Sequence, residues 1–193
     1  MSRVSMPGAK LIETEYPVID IDPHFFRVVR YARPGDWAVG AGTAVAMPAA
    51  FHLMNYFDPV PHIPKAGIQR AHRLLVFLAI GTGFCRTYIR SSLRFWGWTE
   101  NAREVEMDMR EMVDKVKRKE PLYGVSRLDP YLQGVAARTS TYSQKLLHVF
   151  PMFNFVNHNQ HGVDTRKYFL AAEEELEREE QARLAKVAAE GKA

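Results

Sequence analysis

Two histidines three positions apart, His158 and His161, lie in an amide-rich stretch from Phe153 to Gly162 that reads FNFVNHNQHG, with His148 a little upstream. Imidazoles at this spacing can share a divalent cation, and a small metal-dependent enzyme would follow if further ligands converged on them. A structural zinc site takes four ligands and favours thiolates, whereas the single cysteine, Cys85, sits inside an apolar run. The pattern therefore favours an irregular, hydrogen-bonded loop docked on a partner over a metal centre, and no metal or cofactor is expected. Glu104, Glu106, Asp108 and Glu111 offer carboxylates, but they are spread around a predicted helix among basic neighbours and read as a solvated face. Met107, Met109 and Met112 read as a packing stripe. Gly40-x-Gly42 and Gly81-x-Gly83 lack the lysine and the preceding strand of a phosphate loop. With no Gly-x-Ser-x-Gly and no Cys-x-x-Cys, the chain is read as having no catalytic residues of its own.

The elements that must carry these residues divide into three stretches. Residues 1–36 form an N-terminal arm, extended as far as Asp22-Pro23 and followed by a short amphipathic piece from His24 to Tyr31 suited to a membrane surface or a partner. Residues 37–98 hold two apolar segments. Trp37 to Tyr56 carries no formal charge and comes close to the roughly 20 residues that cross a bilayer's hydrocarbon. It is rich in small residues (Gly40, Gly42, Ala44, Ala46), which permit close helix packing in lipid, and Pro48 is expected to kink it. Leu74 to Ile89 is the second; its strictly apolar part, Leu74 to Cys85, is short, but the flanking Arg73 and Arg86 can snorkel. Together they predict a two-helix transmembrane hairpin.

Just beyond it Arg94, Trp96 and Trp98 suit a membrane–water interface, where amphipathic rings and snorkelling cations share the headgroup level. Residues 99–193 form a polar, helical C-terminal region. Asn101 followed by Glu104 has the spacing of a capping box, and Val105, Met109, Met112, Val113 and Val116 fall on one helical face. Tyr131 to Phe150 is a further helix candidate, and Asp164 caps a last, mostly solvated helix. The fold class is thus an all-α membrane protein: a transmembrane hairpin with an extended arm and a C-terminal region of extended helices and loops.

The net charge of +4 over 193 residues is mildly basic, but no stacking aromatics are interleaved with a basic face, so nucleic-acid binding is not expected. The cations flanking the hairpin on its terminal side (Arg27, Arg30, Arg33, Arg86, Arg90, Arg94) outnumber those of the connecting loop (Lys65, Arg70, Arg73). That excess places both termini on the matrix or cytoplasmic side. The first fifteen residues include Glu13 and Glu15 beside Arg3 and Lys10, unlike an acid-poor transit peptide, so a mitochondrial address would be internal.

Four blocks carry a resemblance: YPVIDIDPHFFRVVRYARPGDW, SSLRFWGWTENAREVEMDMREMVDKVKRKEPLYG, YLQGVAARTSTYS and FNFVNHNQHGVDTRKYF. They resemble the fungal accessory subunit, of the 21 kDa type, of mitochondrial NADH:ubiquinone oxidoreductase (respiratory complex I), and they cover most of the chain from Tyr16 to about Phe169. The resemblance implies a non-catalytic structural or assembly subunit in the membrane arm, multi-pass in the inner mitochondrial membrane. Its partners would be other membrane-arm subunits and membrane lipids, and flavin, clusters and quinone would belong to other subunits. On this reading the interface residues are Arg94, Trp96 and Trp98 at the membrane boundary and Asn157, His158, Asn159 and His161 in the docked loop. The alternative is an independent organising or import factor anchored in the inner membrane.

Overall fold

The computed structural model describes residues 14–59, 63–144 and 153–190. Among them there are six helices and no strand: α1 (Phe25–Tyr31), α2 (Pro34–Phe57), α3 (Lys65–Phe95), α4 (Ala102–Lys117), α5 (Pro130–Gln144) and α6 (Arg166–Glu190). The all-α expectation holds. The part of the predicted helix Tyr131–Phe150 beyond Gln144, His148 included, lies outside the described residues. The chain forms two compact units. Of the described residues, one gathers 14–22, 94–141 and 156–190; the other gathers 23–59, 63–93, 142–144 and 153–155.

In the second unit, α2 and α3 run antiparallel, and their contacts follow from small residues at the crossing. A Cβ on Gly40 would lie 2.6 Å from the Gly83 carbonyl oxygen, and one on Gly83 would lie 3.0 Å from the Ala44 Cβ. No larger side chain fits there, so the two backbones touch as in small-residue helix pairs. Towards one end, Asp36 is fully buried. Its Oδ1 accepts from Arg90 Nε at 2.9 Å and its Oδ2 from the Arg33 backbone N–H at 2.9 Å, closing the first turn of α2. Thr87 Oγ1 donates to the Asp36 carbonyl at 3.2 Å. Towards the other end, the Phe51 and His72 rings are 6.3 Å apart. The short helix α1 packs Phe25 among Phe153, Phe155 and Tyr88, at 5.1, 4.8 and 5.6 Å between ring centroids. Ser91 Oγ donates to the Val28 carbonyl at 2.8 Å.

The predicted spans fare differently. α2 encloses Trp37 to Tyr56 and continues through Pro48 as one helix. Among the described residues it is the one helix long and apolar enough to cross a membrane, and only 6% of its most apolar stretch is buried. α3 encloses Leu74 to Ile89 but extends to 31 residues, about 46 Å at 1.5 Å per residue. Its six cations, Lys65, Arg70, Arg73, Arg86, Arg90 and Arg94, dilute the apolar run, so α3 does not match α2 as a spanning helix.

The glycine contacts are selective: a Cβ on Gly42 or on Gly81 meets nothing within 4 Å. Gly40→Ala should therefore force α2 off α3 and lower the unfolding midpoint of the detergent-solubilised chain, at a cost of roughly 1–3 kcal/mol. Gly42→Ala, in open space on a helix, should leave it unchanged or raise stability by about 0.5–1 kcal/mol. Equal effects of the two substitutions would refute this crossing.

Candidate functional site: a histidine–aspartate clamp

The first unit is built around a segment with no helix of its own, residues 14–22. Its backbone pairs irregularly with the turn after α3: the Ile19 N–H donates to the Phe95 carbonyl at 2.9 Å and the Tyr16 N–H to the Gly97 carbonyl at 3.1 Å. Gly97, at φ +71, permits this approach, since a Cβ there would run into the Tyr16 carbonyl. Ile19, Asp20 and Asp22 are buried. Burying two carboxylates is expensive unless partners meet them, and the loop before α6 supplies those partners.

His158 Nε2 lies 2.8 Å from Asp22 Oδ2, and His161 Nδ1 lies 2.7 Å from Asp20 Oδ1. Both histidines are buried. The remaining ring nitrogens are also engaged. The Gln160 N–H donates to His158 Nδ1 at 3.2 Å, and His161 Nε2 faces the His158 carbonyl at 2.7 Å. A neutral His158 with its proton on Nε2 satisfies both of its neighbours. His161 faces acceptors on both sides. Asp20 Oδ1 also accepts the Asp22 N–H at 2.9 Å. The rings stack: His158 on His161 at 4.5 Å, and His161 on Tyr123 at 3.5 Å. The backbone joins in, with the Ile21 N–H donating to the His161 carbonyl at 3.1 Å. Gly162, at φ +67, turns the chain where any Cβ would strike Ile21.

This geometry is structural chemistry. With every nitrogen of His158 and His161 facing a protein donor or acceptor, a cation would have to displace an existing bond to be held. Among the described residues no group of three or more His, Cys, Asp or Glu side chains converges as a metal site.

The other expected contact residues divide. Trp96 is half-buried and donates from Nε1 to the Ile21 carbonyl at 3.1 Å. Arg94 is buried, whereas Trp98 is 51% exposed and Asn159 is exposed. Asn157 donates from Nδ2 to the Val125 carbonyl at 3.2 Å.

α4 corrects two expectations. The capping box does not form: the Asn101 side chain makes no cap bond to the first turn, and its Nδ2 donates to the Pro17 and Arg94 carbonyls, at 2.8 and 2.7 Å. Nor are the carboxylates all on a solvated face. Glu104 and Asp108 are buried along with Met112 and Val113, and the Tyr168 hydroxyl of α6 donates to Asp108 Oδ2. Glu106 is exposed as expected and pairs with Arg110 one turn on, whereas Glu111 is half-buried beside Lys115. α4 and α6 are closed at the surface by Lys117 Nζ, 2.6 Å from Glu175 and 2.8 Å from Glu179. Hydrogen bonding to these glutamates raises the Lys117 pKa, and the same bond lowers that of Glu175.

A family model described as NADH-ubiquinone oxidoreductase complex I, 21 kDa subunit, matches residues 13–100. A second, for the C-terminal of NADH-ubiquinone oxidoreductase 21 kDa subunit, matches residues 109–192. The NADH-ubiquinone oxidoreductase 20.9 kDa subunit of Neurospora crassa is 53% identical over 182 residues, covering 93% of this chain and 96% of that protein. The chain belongs to the complex I 21 kDa subunit family. The clamp draws on both matched segments of this 21 kDa family. Asp20 and Asp22 come from the first, and His158 and His161 from the second.

Removing one partner of a buried pair leaves the other uncompensated. Asp20→Ala should lower the unfolding free energy by about 3–5 kcal/mol, and Asp20→Asn, which keeps an acceptor, by about 1–3 kcal/mol. Denaturant titration of the full chain checks both, and an unshifted midpoint for Asp20→Ala would contradict the clamp.

The Lys117 clasp makes a separate prediction. The lowered pKa of Glu175 means that its contribution is present above the ordinary carboxylate range and lost as pH falls through the lowered value. The raised pKa of Lys117 means that its contribution is present below the ordinary lysine range and lost as pH rises through the raised value. Lys117→Met should therefore reduce stability modestly near neutrality and flatten the acid limb of a midpoint-versus-pH curve.

Proposed function

We propose that this chain is a non-catalytic accessory subunit of the membrane arm of mitochondrial complex I, with a structural and assembly role, held in the inner membrane by the α2–α3 pair with both termini on the matrix side. The observation that carries the membrane part is α2 itself: a 24-residue apolar helix left almost wholly uncovered by its own chain. In water such a surface is a liability, and in hydrocarbon it is matched. Membership of the complex I 21 kDa family supports the assembly part. α3 serves as the second crossing on this reading, with Arg73 and Arg86 bounding its apolar middle and Phe77, Leu78 and Ile80 turned outward.

A structural role is supported by where the titratable groups sit. His158 and His161 are consumed in fastening residues 14–22, leaving Trp98 and Asn159 as the outward-facing members of the expected contact set. Trp98 and Asn159 touch neighbouring subunits on this reading; Arg94, Trp96, Asn157, His158 and His161 act from behind, keeping their loops in shape.

A native gel of mitochondrial membranes solubilised in mild detergent, probed for this chain beside in-gel NADH dehydrogenase activity, tests the assignment. The chain should co-migrate with the active band and remain there after a salt wash. Migration elsewhere would overturn the assignment in favour of an independent membrane factor. Trp98→Ala should weaken retention in the band without unfolding the chain.

A further inference from the structure

At the end of the α2–α3 pair nearest their connecting loop, the two helices part and leave an open cavity of about 590 Å³. Its walls combine two kinds of surface. Phe51 and Ile68 are apolar, while His52, Asn55, Gln69, His72 and Arg73 bring hydrogen-bonding groups, and no carboxylate lines it among the described residues. α3 carries six cations and no acidic residue along its whole length. Among the described residues, neither Arg70 nor Arg73 is engaged in an ion pair. The cavity thus presents an uncompensated guanidinium beside imidazole and amide donors, a set suited to phosphate oxygens.

What adjoins the cavity selects the kind of phosphate. Gln69, Arg73, Phe77 and Ile80 follow one another at helical spacing along one face of α3, and all four are exposed. Two donors are succeeded by two bare apolar side chains, Phe77 at 73% and Ile80 at 61% exposure. From Arg73 to Ile80 the helix rises roughly 10 Å, so the track leads from the polar end of α3 into its apolar middle. A free anion would use only the first half of this track. A phospholipid uses both, its headgroup on Arg73 and its acyl chain along Phe77 and Ile80.

We propose that this cavity is a binding site for an anionic phospholipid, with Arg73 as its charge-bearing contact and His72 and Gln69 as supporting donors. The inference rests on the α2–α3 pair being inserted in a bilayer.

The test uses the full chain in neutral detergent micelles, titrated with phosphatidylglycerol, with phosphatidylcholine or with inorganic phosphate, and reads the thermal unfolding midpoint. A ligand that binds the folded form raises the midpoint saturably. Phosphatidylglycerol should do so, while phosphatidylcholine and phosphate at matched concentrations should not. Arg73→Gln, or Gln69→Glu, which sets a carboxylate in the headgroup position, should weaken the apparent affinity by roughly tenfold or more. Arg86→Gln, outside the cavity, should leave it unchanged. Two independent exposed positions keep the test decisive if one variant is unstable. Equal shifts with both lipids, a shift reproduced by phosphate alone, or undiminished affinity in both cavity variants would each overturn the proposal. Cavity variants that lose the lipid response should still co-migrate with the complex I band. A wild-type chain that alkaline carbonate strips from the membrane would instead overturn the membrane reading beneath both.

Discussion

Residues 14–22 form no helix and no strand, and the structure of the first unit depends on how this segment is fastened. Two aspartates, Asp20 and Asp22, are buried on it, and each reaches one histidine of the loop before α6. A buried carboxylate without a partner would expel the segment into water. With a partner, and with backbone bonds to Phe95, Gly97 and His161 on either side, it becomes the piece around which the rest is arranged. Trp96 caps the arrangement through the Ile21 carbonyl, and Asn101 Nδ2 holds the Pro17 carbonyl. A buried hydrogen-bonded cluster of this kind adds little net stability over apolar packing, but it tolerates few alternatives. Its value here is to select one register for an otherwise featureless strip of chain.

α4 shows the same economy of polar groups. Its inward face combines Met112 and Val113 with Glu104 and Asp108, and Tyr168 on α6 reaches Asp108. Helix packing by apolar residues alone is non-directional. The hydroxyl–carboxylate bond and the outer Lys117 clasp fix which residue of α6 faces which residue of α4.

Helices were legible wherever composition carried a period or a long uncharged run. α2 and α6 fall close to the expected positions, and the block after Trp98 announces a helix that closes near Lys117. The second apolar segment was found, but its helix runs well past the apolar residues at both ends, because arginine and lysine are good helix formers whatever surrounds them. The clamp was only half legible. His158 and His161 stand out by type and spacing, yet their partners lie more than 130 positions away, and no local rule links them. The one available signal was the alternation Ile19-Asp20-Ile21-Asp22 ahead of Pro23, an extended stretch with acids where a solvated arm needs none. The inward turn of Glu104 and Asp108 was hidden for a related reason: a carboxylate's burial is decided by what packs over it, for Asp108 a tyrosine 60 positions downstream.

The separation along the chain also sets an order of events. The two histidine–aspartate contacts span 136 and 141 positions, so they belong to the slowest class of contact to form. A chain emerging from its amino end, whether from a ribosome or through a translocation pore, presents Asp20 and Asp22 long before His158 and His161 exist to receive them. The first unit therefore cannot close during passage. Its amino-terminal strip can meet Phe95, Gly97 and Asn101 once the first hundred or so residues are delivered, but its two aspartates stay without their histidines until nearly the whole polypeptide has followed.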